Sequence, residues 1–140
     1  MIDTVYFEED TSNYSATNRI RLALPDANWI PIERFQEVFN IRTQNFRIQK
    51  KNPALIIAKK HNNFVLPAPS GFGMGSSQNF YFSHMYNCLY DCKYCFLQGM
   101  YSSANFVLFV NYEDFFTSIS DKINEYNGKT LTFFSGYDCD

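Results

Sequence analysis

The sequence predicts an α/β chain built on a parallel sheet and preceded by a smaller α+β segment. Three observations point that way. Residues 106–110 form an unbroken apolar run of the kind that makes a buried strand. The next stretch puts Phe115, Ile119 and Ile123 on one helical face and closes with Gly128. Residues 130–134 then read as a second strand. Strand, helix and strand with a short return make a βαβ unit, whose strands run parallel.

The elements follow in order. Ile32, Phe35, Val38 and Phe39 are spaced i, i+3, i+6, i+7 with Glu33, Arg34, Gln36 and Glu37 between them, which predicts a short amphipathic helix. Pro31 suits its first turn, where no N–H is needed. Apolar residues 54–58 and 64–66 flank a polar stretch and predict a hairpin, with His61 in the turn. Residues 67–77 are rich in Pro, Gly and Ser and read as a loop. This loop divides a leading segment, residues 1–78, from a second part, residues 79–140. Its Gly71-Phe72-Gly73-Met74-Gly75 is not a phosphate-binding loop, because no helix-forming sequence follows it. Phe80-Tyr81-Phe82 is a strand leading to the cysteines. Asn111 is the expected helix cap, with Asp114 as its capping-box partner. Ligands at parallel sheets bind beyond the carboxyl ends of the strands. The cysteine loop and Ser135-Gly136 both follow such ends.

The chain has 140 residues, 46% hydrophobic and 19% aromatic, which is enough for a core in one ordinary domain. No run is long enough to span a membrane, and residues 1–10 are acidic with no apolar leader, so the expected location is the cytoplasm. Net charge is −2, but it is unevenly spread. Between Glu37 and Asp91 there is no acidic residue, while Arg42, Arg47, Lys50, Lys51, Lys59 and Lys60 all fall there. Such a stretch is either a solvated basic face or a surface for a polyanion such as DNA.

The chemistry concentrates in Cys88, Cys92 and Cys95, spaced C-x3-C-x2-C with Tyr94 directly before the third. Three close thiolates can hold three irons of a 4Fe–4S cluster and leave the fourth open to a small molecule. Zinc would need a fourth ligand, for which His84 or Cys139 is available. Disulfides would need an oxidising compartment.

This spacing resembles the signature of the radical S-adenosylmethionine (SAM) superfamily. Several flanking strings narrow the resemblance: Gln44-Asn45-Phe46, Gln49-Lys50, Phe96-Leu97-Gln98-Gly99-Met100-Tyr101, Ser103-Ala104-Asn105, Phe109-Val110-Asn111 and Glu113-Asp114-Phe115-Phe116. From about residue 30 onward the chain resembles the spore photoproduct lyase family. The resemblance implies the front part of a partial (β/α)6 barrel with a 4Fe–4S cluster on Cys88, Cys92 and Cys95. It implies that SAM chelates the open iron and is cleaved reductively to a radical that abstracts hydrogen from a thymine lesion in DNA. By position, Tyr94 lies by the SAM adenine, and Ser135 and Gly136 help hold the SAM amino group. An electron donor such as flavodoxin or ferredoxin is implied, and no membrane.

Departures from the family pattern bear on activity. The namesake enzymes carry a tyrosine after the third cluster cysteine, where this chain has Phe96. Their hydrogen-donating fourth cysteine corresponds to Cys139 only with a shift of about one residue. Tyr137 and Asp138 replace the usual acidic ending of the glycine-rich element. Asp140 lies 45 residues after Cys95, and six βα units of roughly 30 residues each need many more, so the expectation is a front portion that is inactive alone. Two rival readings follow: a family enzyme with another substrate, and a non-catalytic, metal-stabilised nucleic-acid-binding module.

Overall fold

A computed structural model describes residues 2–75, 78–90 and 92–136. Its elements are β1 (Thr4–Glu8), α1 (Ser15–Ala23), β2 (Asn28–Ile32), α2 (Phe46–Gln49), β3 (Leu55–Ala58), β4 (Leu66–Pro67), β5 (Gln78–Phe82), β6 (Met85–Tyr86), β7 (Phe106–Phe109), α3 (Tyr112–Glu125) and β8 (Leu131–Ser135). They build two sheets, ordered β2-β1-β3-β7-β6 and β4-β5-β8. In the larger sheet β2, β1, β3 and β7 are parallel, and β6 closes one edge antiparallel to β7.

Strand periodicity sends alternate side chains to opposite faces. Val5, Ile57 and Leu108 point to the face covered by α1, through Ala16 and Ile20. Ile56, Ala58, Val107 and Phe109 point to the other face and meet Ile32, Phe39 and Phe115. Ile56, Ile57 and Ala58 are therefore all buried, as expected for a central parallel strand covered on both faces. That two-sided burial is why residues 54–58 do not form the expected hairpin. β3 lies between β1 and β7, and Leu66 pairs instead with Tyr81 of β5.

The helix expected over residues 32–39 is also absent. Pro31 and Ile32 end β2, and only a 3-10 turn, Phe35–Glu37, follows. The apolar spacing did mark the buried side chains, since Ile32 and Phe39 are core residues with Phe35 and Val38 against them. The backbone is extended because β2 pairs along the whole of β1. Pro31 is tolerated because β2 is an edge strand with no partner on its outer side.

Strands β5, β7 and β8 and helix α3 form where the sequence pattern puts them. However, β7 and β8 do not share a sheet: β7 pairs with β3, and β8 pairs in parallel with β5. Helix α3 thus connects the two sheets. Asn111 precedes α3 but does not cap it with its side chain. Its Oδ1 accepts the Lys60 N–H at 2.9 Å, and its Nδ2 donates to Lys60 O at 2.8 Å and Asp114 Oδ2 at 2.6 Å. The side chain pins the end of β3 instead.

Glu8, at the carboxyl end of β1, is fully buried. Its Oε1 accepts the Phe35 N–H and its Oε2 the Lys59 N–H, both at 2.9 Å. One carboxylate thereby ties the segments leaving β2 and β3, which offsets the cost of burying it.

Candidate functional site

The cysteines lie on a long connection between β6 and β7, two strands paired through Met85↔Leu108 and Tyr86↔Val107. The connection is mostly turns, so side chains must hold it. Asn87 adopts φ +59, a conformation that asparagine tolerates better than most residues. From there its Nδ2 donates to Ser103 O and Asn105 O, both at 2.7 Å, closing the foot of the loop. Asn105 Oδ1 accepts the Ala54 N–H at 3.0 Å, ahead of β3.

Helix α2 grips the loop from the side. Asn45 caps α2 by accepting the Ile48 N–H at 3.2 Å. Gln49 Oε1 accepts from Ser103 Oγ at 3.0 Å and from the Ala104 N–H at 2.6 Å. Lys50 Nζ donates to Gln98 Oε1 at 2.9 Å, and Gln98 Nε2 donates to Cys92 O at 2.8 Å. Asn40 Oδ1 accepts the Ser102 N–H at 2.7 Å. The motif strings contain Asn45, Gln49, Lys50, Gln98 and Ser103, but nothing in the sequence pattern singled out Asn40. The partners of these anchors are too distant in sequence for spacing to reveal.

Cys88, Cys92 and Cys95 are free, half-buried thiols. Cys88 and Cys95 line one cleft of about 230 Å³ together with Phe46, Lys50 and Gln98, while Cys92 lies outside its lining. The Tyr90 N–H donates to Cys88 Sγ at 3.4 Å, and the Cys95 N–H to Cys92 O at 3.0 Å. Among the described residues no three Cys, His, Asp or Glu side chains are gathered as a ready metal site. The donor set still suits an iron–sulfur cluster: soft thiols on one loop, accessible, with an amide N–H directed at a sulfur. His84, the other candidate zinc ligand, is half-buried, and burial lowers its imidazole pKa below 6.5.

Tyr94 and Phe96 project almost fully into solvent, at 90% and 92% exposure. Ser135 ends β8 opposite Phe82, and Gly136, at φ +98, donates its N–H to Phe82 O at 2.8 Å. Both therefore lie at the carboxyl ends of β5 and β8, although neither lines the cysteine cleft. Cys139, Tyr137 and Asp138 lie outside the described residues.

The fold matches that of solved structures. A solved variant of spore photoproduct lyase with bound AdoMet and dinucleoside spore photoproduct aligns with a TM-score of 0.78 at 17% identity, over 100% of this chain and 41% of its own. The fold is that of the front part of spore photoproduct lyase. Spore photoproduct lyase complexed with dinucleoside spore photoproduct aligns at 0.75 and 17% identity, over 100% and 41%. A further variant of the lyase aligns at 0.74 and 18% identity, over the same shares. This chain thus spans about two-fifths of the length of the lyase structures it matches. No family model matches the sequence, and no curated protein matches it. Among the described residues no helix is long and apolar enough to cross a membrane.

Proposed function

We propose that this chain carries the cluster-binding part of a radical SAM enzyme related to spore photoproduct lyase. The observation that carries this reading is a C-x3-C-x2-C motif on the connection from β6 to β7, within the fold of that lyase's front part. Cys88, Cys92 and Cys95 would hold a 4Fe–4S cluster. Such a cluster, when bound, supplies the electron for reductive cleavage of SAM.

The chain's own residues prepare that chemistry. The Tyr90 N–H is directed at Cys88 Sγ and would orient that sulfur toward a bound iron. Lys50 brings a positive charge beside the cleft, which suits an anionic tri-thiolate site. Tyr94 is assigned to the SAM adenine, Ser135 and Gly136 to the SAM amino group, and Cys139 to hydrogen return. DNA is the proposed substrate class, a flavodoxin or ferredoxin the electron donor, and the cytoplasm the location.

Phe96 supports a second reading, a related enzyme with another substrate, because a phenyl ring has no phenolic hydrogen to transfer. The test is electron paramagnetic resonance on anaerobically reconstituted, dithionite-reduced protein. A reduced 4Fe–4S signal that shifts on adding SAM is expected. Zinc in place of a cluster would end the radical reading for this chain.

A further inference from the structure

A second cleft, of about 550 Å³, lies apart from the cysteines. It sits at the carboxyl end of the larger sheet, where Lys59, Lys60 and His61 leave β3 and Phe109 ends β7. Open parallel sheets take their ligands at this edge. The volume falls within the roughly 300–1,000 Å³ common for small-molecule sites.

Its chemistry is one-sided. Among the described residues none that lines it is acidic. Lys60 Nζ rests near the faces of Tyr86, Phe109 and Phe115, at 5.6, 5.1 and 5.8 Å from their ring centroids, and donates to Ser83 O at 3.2 Å. Lys59 also lines the cleft, and Arg34 Nη1, 3.0 Å from the lining His61 Nε2, adds a further cation beside it. The nearby carboxylates are engaged: Glu8 accepts two backbone N–H groups from behind, and Glu37 Oε1 accepts the Arg34 N–H. Tyr81 and Tyr86 line the same cavity. Cations beside aromatic rings, with no opposing acid, suit a ligand that pairs a phosphate with a flat base.

We propose that this cleft binds a nucleoside phosphate, either free or as one unit of a single nucleic-acid strand. The site does not depend on a cluster at Cys88, Cys92 and Cys95, so it stands or falls separately from the radical reading.

The test is fluorescence anisotropy of a labelled short oligothymidylate on the full chain as isolated, with thymidine monophosphate as competitor. Lys60 is braced on three rings, so replacing it would test folding as well as binding. The informative variant is Lys59→Gln with His61→Ala, and Arg19→Gln on α1 serves as a control for general charge. The cleft variant should bind about tenfold more weakly with a shallower salt dependence, while the control should match the parent. Displacement by the mononucleotide would identify a free nucleotide as sufficient. Binding of the oligonucleotide alone would identify the strand as the ligand. The proposal is overturned if the parent binds neither, if cleft variant and control lose affinity equally, or if only Lys50→Glu with Lys51→Glu weakens binding.

Discussion

Lys50 Nζ and Gln98 Oε1 meet at 2.9 Å across 48 residues of sequence, and Gln98 passes the connection on to the Cys92 carbonyl at 2.8 Å. This chain of two hydrogen bonds fixes the middle of the cysteine loop to α2, while Asn87 and Gln49 fix its ends. A loop of turns has little internal structure to orient three thiols. Its geometry is therefore set by its anchors, and cluster loading should depend on them.

Replacing Gln98 by Ala should separate loop order from overall stability. The side chain is exposed, so the hydrogen bonds lost are worth only about 1 kcal/mol. The melting temperature should fall by a few degrees. Iron bound per chain after anaerobic reconstitution should fall severalfold, because Cys92 loses its tether. Unchanged iron loading would show that the Lys50–Gln98 connection does not position the loop.

Asn87 combines two roles that can be separated. Asn87→Ala removes both hydrogen bonds to Ser103 O and Asn105 O and leaves alanine at positive φ. Together these cost about 2–4 kcal/mol. Asn87→Gly loses the same hydrogen bonds but accepts the backbone conformation, so it should be about 1 kcal/mol milder. Urea denaturation of both variants checks this order, and a glycine variant no more stable than the alanine one would remove the conformational part of the argument.

Glu8 should be among the most sensitive positions. Glu8→Ala leaves the part-buried N–H groups of Phe35 and Lys59 without their acceptor, at about 1–3 kcal/mol each. For a small domain that is a large share of total stability. Glu8→Gln keeps one acceptor and should retain roughly half of the effect. Equal denaturation midpoints for wild type and Glu8→Ala would mean that the carboxylate does not hold the β2 and β3 ends together.

The limits of the sequence reading have physical causes. Strands β5, β7 and β8 and helix α3 were legible because their patterns are local and their apolar faces match their burial. The cysteine motif was legible because its spacing is covalent. Ile32 to Phe39 misled because four apolar residues at helical spacing can be buried equally well by a strand end and a 3-10 turn. The region before them held β1 and α1, which went unread because Val5 and Ala16 are short signals completed only by distant partners. Sheet membership was illegible for the same reason: β7 chooses β3 over β8 through contacts some fifty residues apart, such as Ala54 with Asn105. Glu8 carried no signal at all, since a glutamate at a strand end usually faces solvent.

His84 should make stability depend on pH in one direction. Burial lowers its imidazole pKa below 6.5, so the folded chain resists a proton that the unfolded chain accepts. Well above pH 6.5 the ring is neutral in both states and contributes no pH dependence. As pH falls below that, the unfolded state binds more protons and stability declines. The decline levels off once the folded form is protonated as well. His84→Gln removes this titration, so the drop in urea midpoint between pH 7.5 and 5.5 should be smaller in the variant than in the parent. The comparison between the two cancels the carboxylates common to both chains. An identical drop in both would mean that His84 titrates alike in the folded and unfolded chains, and that the cover provided by its surroundings is too open to matter.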